Sequence, residues 1–434
     1  MAKPTLFGGP SRSLAESIEE TAALLNEYGP RYDHWAVAYS GGKDSSAALT
    51  VVGHLVGTGA VAPPRRLSVL YADTRMELPP LHAAAVAMLD LMAREGHDAA
   101  AVLPPMDDRF FVYMFGRGVP PPSNTFRWCT DQLKIAPMAD ALRALSPAGK
   151  VLMLTGVRIG ESARRDQTIA AACSRDGAEC GQGRLHLSLA GSKENDINRY
   201  FIPGRPADPC DTLAPVLHWR VCHVWDWLLC EGEAPTHRYA DLTEMVAEAY
   251  GDGGGSSLVE SAARTGCVGC NLASRDVALD RLVRRPDWAH LAPLKRLREM
   301  YAELKRSENR LRKAVTVRWD VDPETDETVC IPIGVERRQD GTPVANVNRM
   351  GPLTLDARRR GLAQVLAIQA EVCAGAARVG KPPYSLIDPE EEARIIELIA
   401  AGTWPRGWDG TEPRADEPFV EMLADGSVQQ TLFG

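Results

Sequence analysis

The stretch "AVAYSGGKDSSAAL" (residues 36–49) decides how the chain is read. The apolar run that leads into it, "HWAVAYS" from residue 34, reads as a buried strand, and "SSAALTVVGHL" (45–55) reads as a helix. The turn between them holds two glycines, Gly41 and Gly42, which allow positive φ and let backbone N–H groups point inward. The following helix adds positive potential at its N-terminus. Ser40, Ser45 and Ser46 supply hydroxyls, and Lys43 supplies charge. Asp44 is wrong for a bare anion but suited to Mg²⁺ on a pyrophosphate. The turn therefore reads as a phosphate-binding turn. It is not a Walker A loop, because Lys43 is followed by Asp44 and Val37 stands where a glycine is required. Nor is it G-x-G-x-x-G, since "GGKDSS" lacks the third glycine.

Working outward, the strand–helix cycle repeats. "RLSVLYAD" (66–73), "DAAAVLP" (98–104) and "VLMLTGV" (151–157) read as strands, and "LAPVLHW" (213–219) as a fifth. "LPPLHAAAVAMLDLMAREG" (78–96), "TDQLKIAPMADALRAL" (130–145) and "VCHVWDWLLC" (221–230) read as helices. Alternation of this kind predicts an α/β, doubly wound parallel sheet with ligands at the carboxyl ends of its strands. A helix over 13–28 precedes it, ended by the breaker "GPRYD". Residues 173–210 form a strand-poor insertion rich in Gly, Cys and charge, and "GDGGGS" (251–256) a hinge. Beyond 280 the pattern is helical and basic, notably "LKRLREMYAELKRSENRLRK" (294–313). A hairpin turning at "RQDGTP" is expected within 314–349, followed by two helices. The second has Asp388 as N-cap, Pro389 at its first position and Glu391 completing a capping box. The expected domains are a tail and helix (1–30), the nucleotide domain (31–280) and a mainly helical region (281–434).

With 434 residues, 45% hydrophobic and 24% charged, the chain can bury a full core. No apolar run approaches a membrane span, and the N-terminus lacks a signal-peptide pattern, so a soluble, cytoplasmic protein is expected. The net charge of −8 gives no global basic field, and a nucleic-acid partner would have to meet a local patch. Lys295, Arg296, Arg298, Lys305, Arg306, Arg310, Arg312, Lys313 and Arg358–Arg360 offer one, although a solvated helical face balanced by Glu299, Glu303 and Glu308 reads equally well.

Arg158, Arg164 and Arg165 follow the fourth strand at its ligand end, where guanidinium forks suit phosphate. Arg127 and Lys134 flank Cys129, a setting expected to favour its thiolate; a buried structural cysteine is the competing reading. Cys267 and Cys270 in "RTGCVGCNL" have CxxC spacing, open to zinc, an iron–sulfur half-site or a redox pair. Further ligands would come from Cys129, Cys173, Cys180, Cys210 or Cys222. The all-thiolate set favours iron–sulfur.

"YSGGKDSS" resembles the PP-loop of the ATP pyrophosphatase superfamily, with an adenine-nucleotide α-hydrolase-like fold. "YADT" (71–74), "FRWCTDQLKIAP" (126–137), "LTGVRIGESARR" (154–165) and "LAPVLHWRVCHVWDWL" resemble segments of relatives of 3′-phosphoadenylylsulfate reductase, in order along the chain. "GCVGC" and "GPLTLDARRRGLAQVLAIQ" resemble the sulfurtransferase of bacterial DNA phosphorothioation systems (the DndC/SspD type). The resemblance implies ATP and Mg²⁺ bound by Ser40–Ser46, Asp73, Gly156 and Arg164, with Lys43, Asp44, Cys129 and Arg158 catalytic. It also implies a [4Fe–4S] cluster, assigned to Cys180, Cys222, Cys267 and Cys270. Trp128 replaces one cysteine of the related cluster pattern, so at least one ligand is recruited elsewhere. The implied reaction adenylates a DNA backbone phosphate and replaces AMP with sulfur from a cysteine desulfurase, alongside other phosphorothioation proteins. The rivals are a sulfonucleotide reductase, a tRNA thiolase and a non-catalytic scaffold. A simple reductase is disfavoured by the lack of any cysteine after Cys373.

Overall fold

The computed structural model describes residues 13–145, 151–158, 186–188, 210–250, 267–273, 275–312, 317–321, 328–332, 336–337, 343–344, 350–416, 420–422 and 428–430. The chain divides into two units: Met1–Pro105 with Arg127–Cys270 and Arg275–Ala289, and Met106–Phe126 with Asn271–Ser274 and His290–Gly434.

Unit 1 is built on a six-stranded sheet. Its strands are β1 (His34–Tyr39), β2 (Arg66–Ala72), β3 (Asp98–Val102), β4 (Val151–Thr155), β5 (His186–Ser188) and β6 (Cys210–Leu213), in the order β3-β2-β1-β4-β6-β5. The first four and β6 are parallel, and β5 closes the edge antiparallel to β6. Central strands read as continuous apolar runs because both faces are covered. Val37, Val69 and Leu154 are buried, and each such side chain contributes about 1.5–3 kcal/mol.

Helices α1 (Leu14–Tyr28), α2 (Lys43–Gly57) and α3 (Pro79–Arg94) follow the expected periodicity. Ser13 caps α1 in a capping box with Glu16, which satisfies two end amides. The expected helix over 130–145 is interrupted. A single turn at Trp128–Thr130 widens into a π-turn at Asp131–Ile135 before α4 (Ala136–Leu145). The Ala136 N–H reaches back to Asp131, and the next residue, Pro137, has no N–H to restore ordinary helical bonding. The fifth parallel strand is Cys210–Leu213 rather than 213–219. Residues 214–218 turn instead, closed by bonds from Leu217 to Ala214 and Trp219 to Val216. The insertion also holds β5, an edge strand the composition did not show. The further described α-helices of the unit are α5 (Val221–Leu229), α6 (Ala240–Tyr250) and α7 (Val277–Leu282).

Unit 2 packs α8 (Arg296–Leu304), α9 (Leu355–Arg378) and α10 (Pro389–Ala400) with a π-turn at Val112–Gly116. Asp388 and Glu391 form the expected capping box. The expected single hairpin is replaced by two antiparallel pairs: β7 (Val317–Val321) with β8 (Thr328–Pro332), and β9 (Glu336–Arg337) with β10 (Pro343–Val344); the remainder of "RQDGTP", residues 338–342, lies outside the described residues. β11 (Val420–Met422) and β12 (Val428–Gln430) extend the sheet of β9 and β10.

Part of the expected basic face is taken up within the unit, while Arg296, Arg306 and Arg359 stay exposed. The helix stops at Leu304, and Arg310 and Arg312 are buried. Arg310 donates to the Gly351 and Met350 carbonyls. Arg296 pairs with Glu371 at 2.7 Å, and Arg360 bonds Asn309. Arg358 is fully buried. Lys313 lies outside the described residues. No helix among the described residues is long and apolar enough to cross a membrane.

Candidate functional site

The sheet order reverses at β1, which has β2 on one side and β4 on the other. In such sheets the crevice at the carboxyl ends of the two strands is where ligands bind. Ala38 of β1 pairs with Thr155 of β4, so the turn after β1 and the loop after β4 leave the sheet side by side. The first carries Ser40–Ser46 and the second Gly156 and Arg158. The loop after β2 begins with Asp73.

The turn at Ser40–Ser46 is tied by its own serines. The Ser45 hydroxyl donates to the Gly42 carbonyl at 3.0 Å and accepts the Ser40 N–H at 3.2 Å. The Ser40 and Ser45 hydroxyls share a bond of 2.9 Å. Gly41 has φ +70°, the left-handed region that glycine enters without strain. Gly156 presses on the turn. A Cβ there would stand 2.6 Å from both Cα and N of Ser45, and 2.7 Å from the Asp44 carbonyl carbon.

Asp44 is the centre of the charge arrangement. One carboxylate oxygen takes Lys43 Nζ at 2.7 Å and the other takes Arg158 Nε at 2.5 Å. Burial pushes the Asp44 carboxyl up, but the Lys43 and Arg158 charges and hydrogen bonds outweigh it and hold the group below its ordinary value. Arg158 also donates Nη1 to the Trp219 carbonyl at 2.9 Å and is 3% exposed. The fork expected to meet phosphate is therefore spent on Asp44 and on the chain after β6. In this arrangement Arg158 positions Asp44 rather than presenting itself to a ligand.

The remaining expected residues divide. Asp73 is buried, and its carboxylate accepts the Arg75 N–H at 2.8 Å in a tight turn. Ser46 is fully buried, its hydroxyl turned to the Tyr39 hydroxyl at 3.4 Å, inside the core rather than on the crevice. The Lys43 N–H donates to the Tyr250 hydroxyl at 3.1 Å, a contact nothing in the sequence signals. Arg164 and Cys180 lie outside the described residues.

A thiol group stands beside the loop after β2. The Val268 N–H donates to the Met76 carbonyl at 2.6 Å, which docks the CxxC turn, and Gly269 donates to Asp276 at 3.1 Å. The charges of Cys129, Cys267 and Cys270 bear on one another and on Lys134, which the π-turn carries toward them. Glu77 is the other charged member. Its carboxylate takes the Thr74 hydroxyl at 2.6 Å, and burial pushes its pKa up. Glu77 carries no signal in the sequence, where it is a lone acid in the loop before α3.

Cys129 departs from expectation. Burial, with Cys270 beside it, raises its pKa, and Lys134 only partly opposes this, so the setting favours the thiol over the thiolate. Burial pushes Cys267 up to about 11, with Lys134 the main opposing influence. The Lys134 ammonium is raised in turn, by Cys267 first and then by Glu77. In metal-free protein, iodoacetamide labelling of Cys267 is expected to be slow at neutral pH and to rise toward pH 11. Lys134→Met moves that rise to still higher pH; an unchanged profile would show that the lysine does not act on the thiol.

Cys222 is exposed on the first turn of α5, and the largest influences on Cys267 do not include it. Among the described residues, no group of three or more His, Cys, Asp or Glu stands at metal-holding spacing. The thiol chemistry suits iron–sulfur, but the described thiols fall short of a ligand set for the expected cluster.

Residues 34–241 match the phosphoadenosine phosphosulfate reductase domain family, from the first residue of β1 to the start of α6. Among solved structures, FMN adenylyltransferase from Candida glabrata, in complex with FMN and the ATP analogue AMPCPP, is similar at 15% identity and TM-score 0.31, over 50% of this chain and 57% of that one. This chain thus spans little more than half of that enzyme's length. Phosphoadenylyl-sulfate reductase from Candida auris, in its phosphate complex, is similar at 12% identity and TM-score 0.30, over 54% of this chain and 94% of that one. No curated protein matches.

Proposed function

We propose that this chain is an ATP pyrophosphatase that uses the released energy to transfer sulfur, with a DNA backbone phosphate as acceptor. The observation that carries the nucleotide half is the turn at Ser40–Ser46. It sits at the point where the strand order reverses, with Asp44 held between Lys43 and Arg158 and its backbone pressed by Gly156. The sulfur half is supported by Cys129, Cys267 and Cys270. They are grouped with Lys134 and Glu77, and Glu77 in turn feels the charge of Asp73 at the start of the same loop.

MgATP is the substrate, its β,γ-phosphates taken by the turn and its magnesium by the hard carboxylate oxygens of Asp44 and Asp73. An oxygen of the acceptor phosphate attacks the α-phosphorus, and pyrophosphate leaves. The terminal sulfur of a persulfide, supplied by a cysteine desulfurase, then attacks the acceptor phosphorus; the P–O bond to AMP breaks and AMP departs, and a thiol reductant attacks the inner sulfur, so that the S–S bond breaks to leave the phosphorothioate and a disulfide. The protein's share is positioning and charge stabilisation by Lys43 and the turn amides.

The test is pyrophosphate release from ATP with and without DNA. Wild type is expected to release it, faster with DNA, and Lys43→Ala to lose about 100-fold or more. Equal pyrophosphate from both proteins would remove the nucleotide reading. A cluster on Cys267 and Cys270 stands separately, since it needs Cys129 drawn in and a fourth ligand such as Cys180. Anaerobic purification with iron and acid-labile sulfide assays tests it, and stoichiometric zinc in colourless protein would sink it. The domain match favours one second reading, a sulfonucleotide reductase, which predicts sulfite release with a thiol reductant in place of pyrophosphate.

A further inference from the structure

We propose that Tyr250 is a gate on the phosphate turn: its hydroxyl occupies the place of a phosphate oxygen on the Lys43 amide, and a nucleotide must displace it to bind. The inference rests on the nucleotide reading above.

Lys43 is the first residue of α2, so its N–H has no partner within the helix and is among the donors that an anion at this end would take. Here it is already bonded to Tyr250 Oη, at 3.1 Å. An N–H···O bond to phosphate spans about 2.7–3.2 Å, so a phosphate oxygen and the phenol oxygen compete for one position. The ring extends the block. Lys43 Nζ lies 5.7 Å from its centroid, placing the phenol over the cation that a phosphate would also seek. Gly42 makes the approach possible, because a Cβ there would stand 3.3 Å from the hydroxyl.

Two further features suit a part that moves. Tyr250 is the last residue of α6, a position that can unwind without loosening the helix body, where Val246 and Ala247 are buried. Trp225 of α5 meets the ring edge-on at 5.3 Å, so displacement of Tyr250 changes the surroundings of one indole.

The experiment titrates the full chain with magnesium and α,β-methylene ATP, whose bridge resists cleavage, and separately with magnesium pyrophosphate. Calorimetry gives the affinities. Tyr250→Phe keeps the ring and removes only the competing hydroxyl, and is expected to bind both ligands about fivefold more tightly. Tyr250→Ala, which also uncovers Lys43 Nζ, is expected to bind at least as tightly as Tyr250→Phe. The fluorescence change on binding, taken as the difference from Trp225→Phe, is expected in wild type and lost in Tyr250→Ala. Binding that is unchanged or weaker in Tyr250→Phe overturns the gate while leaving the nucleotide site intact. No binding in wild type or in either variant overturns the nucleotide reading, and the gate with it.

Discussion

Arg358→Met is expected to unfold much of unit 2. The side chain is 0% exposed and bonded wholly to backbone: Nε to the Phe115 carbonyl at 2.6 Å, Nη2 to Gly116, and Nη1 to Thr403 at 2.9 Å. Its guanidinium lies 5.1 Å from the centroid of the Trp404 ring. One planar fork thus joins the π-turn at Val112–Gly116, the helix α9 that carries it and the chain after α10. Burial, reinforced by Arg359, holds its pKa below the ordinary arginine value, as for a cation desolvated against dipoles rather than a carboxylate. Methionine removes the charge but leaves three carbonyls without a donor, at about 1–3 kcal/mol each, so a loss of several kcal/mol is expected. Lysine is no rescue, because an ammonium cannot reproduce the planar fork or its stacking. Hydrogen exchange on the full chain is the direct measurement. Amides of α9 and α10 are expected to lose protection in both variants, and protection equal to wild type would refute the clamp.

Arg358 also shows where a sequence misleads. In "DARRRG" it stands beside Arg359 and Arg360 and reads as part of a basic surface. Only the three-dimensional path reveals that one arginine of the three faces inward. Features with local causes were legible. Apolar runs became the central strands, the Asp388–Glu391 box formed as written, and the glycine turn fell between strand and helix as its composition required. Features set by tertiary context were not. The strand at Cys210–Leu213 has only four residues and no apolar run to announce it. Cys129 has cationic neighbours in sequence, yet its ionisation is decided by burial and by a thiol 141 positions away, Cys270. Tyr250 touches Lys43 across 207 positions, beyond any local pattern.

Gly156→Ala is expected to disable the proposed nucleotide turn at Ser40–Ser46 while the sheet still forms. The residue leaves β4 beside the turn, and the added methyl would lie 2.6 Å from two backbone atoms of Ser45. No real Cβ tolerates that distance to backbone, and backbone cannot rotate aside as a side chain can. Either the turn moves or the β4 loop does, and both outcomes touch the same chemistry. Ser45 holds Ser40 and Gly42 through its hydroxyl, and the β4 loop carries Arg158 to Asp44. On the proposed function these groups meet phosphates, and a shift approaching 1 Å in them costs on the order of 100-fold in rate. Pyrophosphate release is therefore expected to fall about 100-fold, with amide protection of β1 and β2 retained because their core residues, Val37, Val69 and Tyr71, stay buried away from the methyl. A companion change, Gly59→Ala, separates crowding from generic loss of glycine. Gly59 has φ +78° but nothing within 4 Å of its would-be Cβ, so its cost is local backbone strain of about 1 kcal/mol with turnover unaffected. If Gly156→Ala retains wild-type pyrophosphate release, the contact between the β4 loop and the turn is not what holds the site in register.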